Sequence, residues 1–83
     1  MVELKKIYDQ ENRVSYSYGI VGEKVVGSIE FDTTPGKDFE ERNVLLNYTE
    51  GCSFCRTTSS ALQAIVKFIR ENNFPKEYVR VTH

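Results

Sequence analysis

Eighty-three residues, 40% of them apolar and ten of them aromatic (five Tyr, five Phe), suffice for one small two-layer domain over residues 1–83, with no second core. A formal net charge of −1, with eleven scattered basic residues of which only Lys5 and Lys6 are adjacent, excludes a field that would recruit nucleic acid or an anionic membrane. No apolar run approaches the roughly 20 residues of a membrane helix, and Met1–Asp9 lacks the apolar centre of a signal peptide, so a cytoplasmic protein is expected.

Val2–Tyr8 reads as a first strand that ends in the turn-prone Asp9-Gln10-Glu11-Asn12. Val14, Tyr16, Tyr18 and Ile20 then alternate with Ser15, Ser17 and Gly19, the period-two pattern of a half-buried antiparallel strand. After a turn at Gly22-Glu23, Val25, Gly27, Ile29 and Phe31 form a second alternating set, and the two runs predict a hairpin. The small residues Ser15, Ser17, Gly19, Gly27 and Ser28 leave one face of it bare, which implies close packing or a bulge. Asp32–Lys37 is a loop by composition, with Pro35-Gly36 at a turn. Phe39 is the one apolar residue of Asp38–Arg42 and is suited to tether this connection to the core. Val44, Leu46 and Tyr48 on one face, with Leu45 on the other, predict an inner strand, or at least one covered on both sides.

The stretch from Asn43 to Asn73 organises the chain, because it holds the one long apolar-periodic segment. Leu62, Ile65, Val66 and Ile69 recur at i, i+3, i+4 and i+7, with Ala61 and Phe68 widening the stripe. Gln63, Lys67, Arg70 and Glu71 fall opposite. Asn72-Asn73 and then Pro75 end the helix, and Lys76–Thr82 predicts a short last strand. The expected fold is α+β: a twisted, mainly antiparallel sheet of four or five strands in the order β-β-β-β-α-β, with one amphipathic helix across one face. A helix of about 16 residues spans roughly 24 Å and covers about four strands, on one face only. The other face is left to solvent or to a partner. A small non-catalytic module that forms a homodimer or binds a protein partner through that sheet face is therefore the first functional expectation.

Cys52 and Cys55 carry the only pattern that implies chemistry, since a C-x-x-C pair serves as a redox dithiol or as half of a metal site. In a cytoplasmic chain such a pair is expected to be reduced, metal-bound or redox-active rather than a permanent staple. If the helix begins at Cys52, the free amides of its first turn and its dipole lower the thiol pKa, and Arg56 pushes the same way. The run V-L-L-N-Y-T-E-G-C-S-F-C-R, followed by a helix and then E-Y-V-R-V, resembles the first half of a glutaredoxin or thioredoxin-like domain. In that family a buried strand delivers the C-x-x-C to a helix N-terminus. The resemblance implies that Cys52 attacks disulfides and that Cys55 resolves the mixed disulfide. It covers residues 44–81 alone; residues 1–43 read as antiparallel hairpins, and the family's cis-proline would fall after the last strand.

Gly51-Cys52 before the Thr57–Ala61 helix start is also similar to iron–sulfur scaffolds, which however draw further cysteines from other loops. For zinc, Cys52, Cys55 and His83 are three candidate ligands, and a closed site needs an acidic residue or a second subunit. Against all of these stands the pair Ser60 and Gln63, which matches a capping box and would start the helix at Ser60. The cysteines would then precede the helix in a loop or act as small packing residues.

Glu30, Asp32, Asp38, Glu40 and Glu41 gather acidity around Pro35, but not at calcium-loop spacing, and a solvated charged loop is expected. Tyr16 and Tyr18 lack the basic surround of a base-stacking platform and are expected in a core or interface. No catalytic residue outside the cysteine pair and no resident cofactor is expected.

Overall fold

A computed structural model describes residues 1–48 and 56–81. Along the chain run β1 (Val2–Gln10), β2 (Arg13–Ile20), β3 (Val25–Asp32), a 3₁₀ turn at Phe39–Arg42, β4 (Leu45–Tyr48), α1 (Arg56–Glu71) and β5 (Glu77–Arg80). The strands form one antiparallel sheet in the order β4-β3-β2-β1-β5, and α1 packs across one of its faces. The fold is therefore α+β, with the element order read from the sequence.

The hairpin of β2 and β3 forms as its alternation predicts. Val14 lies opposite Phe31, Tyr16 opposite Ile29 and Tyr18 opposite Gly27. Cross-strand partners share a face, so these pairs, with Val2 and Leu4 of β1, make the floor on which α1 rests. Ala61, Ala64, Ile65 and Phe68 press onto it from the helix and complete the buried core. Leu62 and Ile69 sit at its margin with Phe39, which does tether the connection between β3 and β4. Tyr16 is at the centre. Its ring centroid lies 5.3 Å from that of Phe68 and 6.3 Å from that of Phe31, and its hydroxyl donates to the Pro75 carbonyl at 2.6 Å. Burial, and secondarily the nearby Asp9 carboxylate, hold this phenol well above the ordinary tyrosine range.

Four local expectations are corrected. Strand β4 is an edge strand, paired to β3 alone, and Leu45 is exposed rather than covered. The register between β2 and β3 shifts by one residue at Val26, between the Tyr18–Gly27 and Gly19–Val25 pairs, as a bulge does. Val26 packs against the core, while Val25 turns to the opposite face and is 58% exposed. Gly27 lies on the helix side opposite Tyr18 and is not part of the bare face. Finally, α1 is already formed at Arg56, so Ser60 is an interior helical residue and not a cap; it is buried, as are Thr58 and Ala61. Thr57–Ser60 are weak helix formers, but tertiary burial of one face outweighs local propensity.

The helix C-terminus follows its signal closely. Asn72 is left-handed (φ 49°), its N–H donates to the Ile69 carbonyl, and the Asn73 N–H donates to that of Phe68. This is a Schellman arrangement.

Gly27 has no room for a side chain. A Cβ there would collide with the Asn47 carbonyl oxygen of β4 and lie 2.9 Å from the Tyr18 hydroxyl. Gly27→Ala is expected to cost about 2 kcal/mol or more by overpacking, read as a lower urea midpoint at unchanged slope.

Candidate functional site

Of the residues singled out for chemistry, Cys52, Cys55 and His83 lie outside the described residues, and Arg56 alone is placed. It is exposed at the start of the described helix and lines a small hollow with Met1, Val2, Ile20 and Thr57. Strand β4, which leads toward the cysteines, is a half-exposed edge and not the buried strand that the thioredoxin-like resemblance implies. β4 and β5 flank α1 in the chain but occupy opposite edges of the sheet. No group of three or more His, Cys, Asp or Glu suited to a metal ion occurs among the described residues.

The acidic loop is committed internally. Asp32 accepts from Lys37 Nζ and from the Thr34 amide, both at 2.7 Å, and Glu30 accepts from Arg13 Nε at 2.6 Å. The Glu41 carboxylate accepts from the Asp38 amide at 3.2 Å. Arg42, only 4% exposed, donates to the carbonyls of Asp32 and Lys37 and so pins the loop from within. Tyr16 and Tyr18 are fully buried beneath the helix, and Tyr18 shares a 2.8 Å hydrogen bond with Thr58. Neither ring is presented for stacking on a ligand.

What remains is the face of the sheet opposite α1. Two bulges shape it. In β1 the register shifts around Ile7, which is 56% exposed, and in β3 the bulge turns Val25 outward. Between them Ser17 and Ser28 pair across β2 and β3 and form a low floor. Ile7 and Val25 stand beside this floor and, with Asn47, line a shallow groove of about 250 Å³. Leu45 and Val79, both about half exposed, extend the apolar surface toward the two sheet edges. Two ion pairs lie on this face, Lys5 with Glu3 at 3.0 Å and Arg13 with Glu30 at 2.6 Å, and Glu77 stands opposite Lys5. The bare small-residue face was legible in the sequence, but its apolar walls were not. The bulges turn Ile7 and Val25 into one groove across β2, and no alternation pattern shows that.

No protein-family model, curated protein or solved structure matches this chain. Among the described residues, no helix is long and apolar enough to cross a membrane.

The Asp32 carboxyl is held well below the usual carboxylate range, chiefly by its hydrogen bond from Lys37 and then by Thr34. A carboxylate with a depressed folded-state pKa adds stability above its unfolded value near 4, and that stability is lost as pH falls toward the folded value. Asp32→Asn is therefore expected to flatten the fall of Tm between about pH 4 and pH 2. Parallel acid limbs for wild type and variant would show that the pairing contributes nothing.

Proposed function

We propose that this chain is a non-catalytic association module that pairs with a second copy of itself through the open face of its sheet. The observation that carries this reading is the apolar surface of Ile7, Val25, Leu45 and Val79 around the Ser17–Ser28 floor, on the face that α1 does not cover. Small floor residues let an opposing surface approach closely, and exposed branched side chains supply the apolar area that it buries. The ion pairs of Glu3 with Lys5 and of Arg13 with Glu30 reduce the like-charge repulsion that an identical face would meet. A twofold contact is self-complementary by symmetry. The molecule's longer axes, 33 and 23 Å, give a face of the order of the roughly 800 Å² per partner that a standard interface buries.

Sedimentation equilibrium from low micromolar to millimolar concentration should show a reversible dimer. Val25→Lys, at an exposed position, should shift the chain to monomer while leaving its Tm within a few degrees. A wild-type chain that stays monomeric at millimolar concentration overturns the reading.

A second reading, thiol or metal chemistry at Cys52 and Cys55, draws on the helix being formed by Arg56 and not first at Ser60. The pair thus precedes the helical amides more closely than a Ser60 cap would leave it, and such amides favour thiolates. It predicts an alkylation-rate midpoint about one pH unit or more below the ordinary thiol value of 8.5, with a reversible two-proton mass loss in glutathione buffers. Stoichiometric zinc that blocks alkylation would assign the pair to a metal site. Two thiols that titrate normally, stay reduced and hold no metal would remove this reading.

A further inference from the structure

On the opposite side of the molecule from the open sheet face, a groove of about 560 Å³ runs along α1. Its apolar part is formed by Leu62 and Val66, one helical turn apart, with Phe39 of the 3₁₀ turn. Its rim carries Lys67, Arg70 and Arg80, and among the described residues Glu71 is the only carboxylate that lines it.

These three cations differ from most others on the surface. Lys5, Lys6, Arg13 and Lys37 each pair with a carboxylate within 3.0 Å. Lys67 instead rests 4.9 Å above the Tyr78 ring and donates to its hydroxyl at 3.3 Å. Arg80 donates to the neutral amide oxygen of Gln63 at 2.7 Å. Among the described residues Arg70 has no ion pair. The contacts of Lys67 and Arg80 orient their charges along the groove without neutralising them. In a chain of formal net charge −1, this local excess of two positive charges (three cations against one carboxylate) runs against the whole.

We infer that this groove is a docking site for an acidic peptide segment of a protein partner, with an apolar side chain seated on Leu62, Val66 and Phe39. Carboxylates flanking that anchor would meet Lys67, Arg70 and Arg80, the guanidinium groups through two-pronged hydrogen bonds. The groove is open along the helix rather than enclosed. A small amphiphile bound there would keep much of its surface in water, whereas enclosure of most of the ligand is what gives small-molecule sites their affinity. A peptide brings its own bulk to cover the groove, and the fixed cations speed and orient its encounter. The inference is independent of self-association, because it uses the other side of the sheet.

The test is selection of random phage-displayed peptides on the immobilised 83-residue chain, followed by anisotropy titration of the best-enriched peptide. The expected winners combine two or more Asp or Glu with a Leu, Ile or Phe. Their affinity should fall about tenfold with Arg70→Glu, be retained in Arg70→Lys, and weaken as salt rises through the physiological range. Circular dichroism should show that both variants keep the helix, so that a loss of binding in Arg70→Glu alone reports charge and not unfolding. Sodium decanoate, titrated in parallel, should bind more weakly than the peptide. No enrichment, winners without acidic residues, binding indifferent to Arg70→Glu, or tighter binding of decanoate would each overturn the proposal.

Discussion

The structure depends on one buried tyrosine. Tyr16 lies in the central strand of the sheet with its ring between Phe31 of β3 and Phe68 of α1, while Phe68 in turn meets Tyr78 of β5 edge-on at 5.1 Å. Its hydroxyl reaches the carbonyl of Pro75, 59 residues away, in the turn that carries the chain from helix to last strand. One side chain thus joins the hairpin, the helix and the return of the chain. A small domain has little core to spare: it buries only about 60% of the surface that its unfolded chain exposes. Concentrating aromatic area at one point, with its single polar atom satisfied, lets so short a chain hold five strands and a helix in register.

That solution is one-sided. A single helix of 16 residues covers one face of the sheet, so everything the core does not use is displayed on the other. The bulges matter here because they break the alternation that would otherwise keep apolar residues inward. Val26 takes the core side, and Val25 is released to the surface groove that Ile7 also lines. The helix also has two sides of different character. The face toward the sheet is apolar, with Ala61 and Ala64 letting the backbone approach closely, whereas its outer margin carries more cations than carboxylates among the described residues. The two surfaces offered to partners are therefore by-products of how the core was built, one on each side of the sheet.

Legibility followed range. Alternation over β2 and β3 and the apolar stripe of α1 were readable because each reports burial of a local element, and the Asn72-Asn73 stop was readable because its chemistry is local. The Ser60 cap misled: its Ser-x-x-Gln pattern matches a helix start, yet Thr58 and Ala61 are buried against the sheet and extend the helix back to Arg56. The inner-strand reading of β4 misled for a related reason. Leu45 and Leu46 show that both faces carry apolar side chains, but not which neighbours a strand has, and β4 is an edge. At the candidate surface the small residues Ser17 and Ser28 were visible as a bare face, while Gly27 proved to serve the opposite side, beneath Tyr18.

The amino-acid sequence by itself determined the class of the fold, the order of its elements and which residues are too apolar to remain in water. These follow from periodicity and local hydrogen bonding, which each segment carries with it. Only the tertiary structure decided the strand order, the bulge that reverses Val25 and Val26, and the convergence of Lys67, Arg70 and Arg80 on one groove. The last of these joins residues of helix and last strand, and it exists because the packing of Phe68 on Tyr78 and Tyr16 brings β5 alongside α1. Pairing between distant segments is chosen by the packing of the whole chain, and no local pattern encodes it.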